Sequence, residues 1–268
     1  MTLSERDGRD VVIERDEYTC RRCGKHADDD PRGLQLYSVS DRPAETVHDS
    51  ALVTVCSPCF ASLASDPDDA CCPDETELFS LVRETTEREG VAVSAVANFA
   101  SVATELPGEL ERTTADPVAN TRVGSTYVRA RRETLLAIDS VDSHLDRLSA
   151  LESATYGFEL SDPLDSFVET GIRLQSQLRG IVSLNERIVA GLEHCHGCFG
   201  VLEDGTSRCS ACALERRDVD DWCSNSDDAI DFERLFTAIN ETLQAASGTT
   251  ETLTDRTTTV AERLHGEP

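Results

Sequence analysis

The chain has 268 residues and carries 51 acidic side chains against 25 basic ones, with Lys25 its only lysine and a formal net charge of −26. Such an excess keeps a protein hydrated in concentrated salt, where screening shortens the reach of self-repulsion to roughly 3 Å near molar ionic strength; the charge is read as haloadaptation, and only local arginine clusters bear on nucleic acid. No apolar run reaches the ~18 residues of a membrane span, and the N-terminus MTLSERDGRD lacks the hydrophobic core of a signal peptide, so a cytoplasmic protein is expected.

Taken in chain order, the first feature is a pair of C-x-x-C motifs, Cys20/Cys23 and Cys56/Cys59. In a reducing compartment eleven cysteines point to metal rather than to a disulfide framework, with redox pairs the alternative. A C-x-x-C turn sets two thiolates at a spacing suited to Zn–S bonds of about 2.3 Å, and two such turns close a tetrahedral shell. The stretch ASDPDDACCPDE (64–75) reads as a linker. Its Cys71 and Cys72, with Cys223 later, have no partner motif and are read as small filler residues.

From Asp74 the chain turns helical, with Asp74 as N-cap ahead of Glu77, Leu78, Leu81 and Val82. This helix is expected to end near Leu106, broken by Pro107 and Gly108. A polar stretch through Gly124 then leads into a second helix carrying Tyr127, Ile138, Val141, Leu145 and Leu148. In the third helix Leu164, Phe167, Gly171, Leu174, Leu178, Ile181, Asn185, Ile188 and Leu192 alternate steps of three and four. That pattern fits a coiled-coil seam, with Asn185 as a register-setting polar residue, or equally an ordinary helical core.

Cys195/Cys198 and Cys209/Cys212 form the second four-cysteine set, a zinc ribbon with a Glu-Asp-Gly turn between short strands. His194 and His196 flank Cys195 and are read as lying behind the ligands or exposed, since four cysteines suffice. The same three-four alternation returns in Phe232, Phe236, Ile239, Leu243, Ala246, Thr250, Leu253, Thr257, Val260 and Leu264. The threonines predict fraying, or a partner, beyond Ala246. The expected fold is therefore mainly α: a helical bundle or coiled-coil hairpin bearing two small zinc modules. Its parts are 1–66 (zinc module), 74–193 (helices), 194–213 (ribbon, at the helix-helix tip) and 226–265 (return helix). Both zinc sites are structural, because protein fills all four positions.

VIERDEYTCRRCG (12–24), LQLYSV (34–39) and DSALVTVCSPCF (49–60) together resemble the four-cysteine branch of the HNH nuclease family, over about 50 residues. Arg15-Asp16, the zinc cysteines and the strand into the second knuckle all fit. The resemblance implies a ββα metal-finger site, in which one residue of a pair holds a divalent cation, the next draws a proton from water, and an Asn and a final His follow. Here Tyr37, Ser38, Ala51 and Phe60 stand at those four positions, and none is a good cation ligand or base at neutral pH. His26 and His48 are out of register and are read as solvated surface histidines.

The leading functional expectation is a non-catalytic interaction protein that binds DNA, RNA or proteins, or associates with itself through its helices. Arg21, Arg22, Arg216 and Arg217 are the candidate nucleic-acid contacts, whereas Arg129, Arg131 and Arg132 are read as a solvated helix face. An HNH endonuclease with relocated ligands and a coiled-coil scaffold for proteins alone are the alternatives. No small-molecule substrate is evident: there is no phosphate loop, no nucleophile with its base, and no second Asp/His cluster.

Overall fold

The computed structural model describes residues 3–40, 42–64, 73–113, 116–151, 156, 158–203, 205–223 and 230–265; Cys71 and Cys72 lie outside them. Helix α1 (Leu3–Arg15) precedes an antiparallel hairpin of β1 (Leu34–Ser38) and β2 (Leu52–Cys56), followed by α2 (Ser57–Leu63). In the hairpin Leu34 faces Cys56 and Ser38 faces Leu52. All five residues of β2 are buried, because α1, α2 and the bundle all pack on the hairpin. The Arg15-Asp16 pair is the clasp of this unit. Arg15 donates to the carbonyls of Asp49 (2.8 Å) and Leu52 (2.7 Å), while buried Asp16 accepts from Arg15 Nε (2.9 Å) and from the Thr54 amide (2.9 Å).

Four long helices follow: α3 (Glu75–Thr113), α4 (Pro117–Ser149), α5 (Phe158–Gly191) and α6 (Phe232–His265). At 33 to 39 residues each, they span roughly 50–60 Å. Asp74 and Glu77 cap α3 reciprocally, each accepting from the other's amide at 3.1 and 2.9 Å. The expected break at Pro107 does not occur, and α3 continues to Thr113. Proline removes one helical N–H, but buried Ala103 and Leu106 anchor the helix just before it, and Arg112 Nε ties the last turn to the Gly108 carbonyl at 3.1 Å. Helix α4 likewise starts earlier than expected. Asp116 accepts from the Val118 and Ala119 amides and Pro117 occupies the first turn, a strong start signal. Gly124 therefore lies inside the helix.

Helix α6 runs unbroken to His265, so the expected fraying beyond Ala246 is corrected. Its partners are α5 and α3 of the same chain. Leu253 and Val260 are fully buried, and the hydroxyls of Thr86 and Thr257 meet at 2.8 Å. The other tail hydroxyls turn back to carbonyls four residues earlier, as Thr250 does to Ala246 and Thr254 to Thr250.

Helix α5 packs on α3, α4 and α6. Its seam is buried, yet so are Val168, Thr170, Gln175, Val182, Glu186 and Val189, so the helix turns a broad face to a bundle core. Asn185 donates to its own helix, at the Ile181 carbonyl (2.8 Å), and its buried Oδ1 has no partner among the described residues; it makes no bond across a seam. No described helix is long and apolar enough to cross a membrane.

Candidate metal centres

Three of the four C-x-x-C motifs fold into the same turn. The amide of the first cysteine donates to the carbonyl five residues on, in the pairs Cys20–Lys25, Cys195–Gly200 and Cys209–Leu214. The amide four residues on, in Gly24, Phe199 and Ala213, returns to the first cysteine's carbonyl. That fourth residue has φ of +76°, +60° and +58° in turn. Only Gly24 adopts it freely; Phe199 and Ala213 are held there at a cost on the order of 1 kcal/mol each. The fourth motif differs, since Cys56 ends β2 and Cys59 lies in the first turn of α2.

These turns bring Cys20, Cys23, Cys56 and Cys59 together, and separately Cys195, Cys198, Cys209 and Cys212, with all four Sγ of each set within 4.8 Å of one another. Sγ–Sγ separations include 3.6 Å (Cys23–Cys56), 3.4 Å (Cys195–Cys212) and 3.6 Å (Cys198–Cys209). A tetrahedron with Zn–S bonds of about 2.3 Å has edges of roughly 3.8 Å, so both donor sets are compatible with zinc. Thiolate character is favoured at one cysteine of each set, while burial and the neighbouring thiols push Cys23, Cys59, Cys198 and Cys212 up. The Cys59 thiol and nearby amides bond to Cys20 and hold its pKa at about 4, and the Cys198 thiol with the Cys198 and Gly197 amides does the same for Cys195, also about 4.

The first centre is backed by cations with unused donors. Arg22 Nη1 reaches the Cys59 carbonyl at 3.4 Å, while its Nε and Nη2, and Nε of Arg88, are buried without partners among the described residues. A divalent ion in four thiolates carries a net double negative charge, which supplies the counter-charge these guanidinium groups lack. Beside them His144 is buried, and burial together with Arg88, Arg22 and Arg147 depresses its pKa to about 3. It is neutral at neutral pH.

The second centre sits at the turn between α5 and α6 but also leans on α4. The rings of Phe99, Tyr127, Phe199 and His194 form a ladder with centroid separations of 5.4, 5.4 and 4.6 Å, and the buried Tyr127 hydroxyl donates to the His196 carbonyl at 3.0 Å. Gly124 makes room for this docking, since a Cβ there would come within 2.7 Å of the Phe199 ring. Beneath the ribbon, buried Glu186 is bracketed by Arg131 (2.7 Å) and Arg217 (2.5 Å). His196 is buried and His194 half-buried; neither belongs to the four-cysteine set.

Several sequence-based assignments change in this light. Arg131 and Arg132 are buried, not a solvated face, and only Arg129 of that trio is exposed; α4 is covered there by both metal modules. Of the four candidate nucleic-acid contacts, Arg217 is engaged by Glu186, Arg21 pairs with Glu133, and Arg22 lies behind the first centre. Arg216 forms no ion pair among the described residues.

Tyr37 reaches across from β1 to α4, donating to Asp139 at 3.3 Å, and Asp139 also accepts from Arg179 of α5 at 3.3 Å. Burial pushes Asp139 up to about 6, and Asp142 adds to it against the opposing pull of Arg179. The Ser38 and Ser40 hydroxyls share a bond at 2.8 Å, Ala51 is buried just before β2, and Phe60 packs on the core. His26 and His48 each cap a short helical turn through Nδ1, and both are exposed. Cys223 belongs to neither metal set; its Sγ lies 3.5 Å from the Val219 carbonyl. Among the described residues, the two cysteine sets are the only groups of three or more His, Cys, Asp or Glu arranged to hold a metal ion. Comparison with protein-family models, with curated proteins and with solved structures finds no match to this chain.

Proposed function

We propose that this chain is a non-catalytic, zinc-stabilised interaction protein acting in a nucleic-acid-associated or regulatory assembly, in a salt-rich cytoplasm. It carries two structural zinc ions. An HNH-like module (1–66) and a ribbon (194–213) are mounted on a helical body (74–193 and 226–265). Zinc is the ion of choice because four thiolates in a tetrahedral shell suit it and leave no open coordination position for water or substrate.

The observation that carries the non-catalytic part is the fate of Tyr37. The resembled nucleases need a cation ligand at this position, whereas here its hydroxyl is spent on Asp139 of α4. Ser38 is occupied by Ser40, and Ala51 and Phe60 have no side-chain lone pair to offer. The hairpin and helix serve as a docking element against the bundle.

The test is cleavage and binding of labelled DNA and RNA in molar potassium chloride with magnesium, manganese or nickel. The unaltered chain is compared with a variant carrying Tyr37→His, Ser38→His, Ala51→Asn and Phe60→His. Binding without cleavage by the unaltered chain is expected. Metal-dependent cleavage by it would overturn the reading in favour of a nuclease with relocated ligands, and neither activity would favour a scaffold for proteins alone.

A further inference from the structure

Both metal modules border one groove. It runs along α4 and encloses about 1050 Å³, with the end of α1 and the hairpin loop on one side and the ribbon turn Cys198–Val201 on the other. Five arginines and four carboxylates line it. Arg15 is bound to Asp16 and Arg21 to Glu133, which leaves Arg122, Arg129 and Arg132 facing Glu17 and Asp49. In a chain with twice as many acids as bases, this groove carries one more arginine than carboxylates.

Arg132 carries the argument. It is only 8% exposed, lines the groove, and forms no hydrogen bond or ion pair among the described residues. Unlike the sealed donors of Arg22 and Arg88, its nitrogens still reach the groove, where an acceptor from outside the chain can bond them. Positions 122, 129 and 132 are spaced by seven and three residues, which puts them on one face of α4. At the ribbon end the same groove is lined by His194 and Phe199, whose ring centroids lie 4.6 Å apart with the planes tilted by 35°. A row of arginines ending in an aromatic platform matches the way proteins hold a single strand, with guanidinium groups on phosphates and bases laid on rings. A duplex keeps its bases stacked internally and has no bare base to offer the platform.

We infer that this groove binds a short stretch of single-stranded nucleic acid, its phosphates on Arg122, Arg129 and Arg132 and a base against the His194–Phe199 pair. The inference rests on the nucleic-acid part of the proposed function and gives it a site away from Tyr37.

Fluorescence anisotropy of short labelled oligo-uridine and oligo-thymidine strands, and of a duplex, in a potassium chloride series tests it; the two single strands separate an RNA ligand from a DNA ligand. Arg122→Glu with Arg129→Glu changes two exposed side chains. Arg32→Glu with Arg173→Glu makes the same charge change outside the groove, and circular dichroism checks that both variants are folded. The groove variant is expected to weaken single-strand binding at least about tenfold and to flatten the log–log salt slope by roughly 1.4, the share of two phosphate contacts, while the control pair shifts the Kd less than about threefold. Equal weakening by both pairs, or none by the groove pair, would overturn the groove assignment while leaving nucleic-acid association standing. Tighter binding of duplex than of single strand would overturn the ligand class. No binding of any strand would overturn both this assignment and the nucleic-acid part of the proposed function.

Discussion

Glu89 shows what a single buried group does to the pH response of this protein. It sits on α3 in the bundle core, with Oε2 accepting from Gln175 Nε2 at 2.6 Å and Oε1 unpartnered among the described residues. Burial raises its pKa to about 8, Gln175 pulls the other way, and Asp142 adds to the rise. An acid whose folded pKa lies above its unfolded value binds more protons in the native state across the interval between them, so stability falls as pH rises through that interval. For Glu89 the interval runs from the usual carboxylate range near 4.3 to about 8. Thermal melts across this range should therefore fall more steeply for the unaltered chain than for Glu89→Gln, which keeps the shape and cannot ionise. Parallel curves would show that Glu89 does not carry this term. Nothing in the sequence marks this glutamate, because its burial is created by α5 packing over it. The cysteines are the opposite case: C-x-x-C is a local spacing, and it identified both four-cysteine sets from the letters alone.

At the scale of elements, the periodic stripes of α5 and α6 were legible because a three-four alternation has few other readings. What the stripes face was not legible, since a seam looks the same whether it meets a second copy or three helices of its own chain. The end of α6 is the clearest instance. Its threonines argued for fraying on propensity, whereas packing on α3 decides the outcome. Leu253→Ala should cost about 2–5 kcal/mol in urea denaturation, the usual range for a buried leucine; a frayed tail would lose almost nothing. The start of α4 teaches a different lesson. Asp116-Pro117 is a local cap signal that was present in the sequence and was outweighed by the polar composition around it. Pro107 reads as a stop, yet buried Ala103 and Leu106 anchor the helix just before it and Arg112 ties its last turn to Gly108.

At the scale of the whole molecule, the two four-cysteine sets differ in how much core surrounds them. The ribbon's buried cluster is small, consisting of Cys195, Leu202, Cys209 and Cys212 with Cys198 and Leu214 against it, so an ion bound there would contribute more to its fold than apolar burial does. The first module shares the bundle's core and is also clasped by Arg15 and Asp16. The groove between the modules was invisible to sequence reading, because it is assembled from five separated segments.

The most direct test of the account is the metal itself: zinc content per folded chain, with X-ray absorption at the zinc edge. The account predicts two zinc ions per chain, each with four sulfur neighbours at about 2.3 Å and no nitrogen or oxygen in the shell, and one ion in a Cys56→Ser, Cys59→Ser variant. Iron in place of zinc, a single ion in the unaltered chain, or a shell containing nitrogen or oxygen would contradict the closed, structural role assigned to both centres.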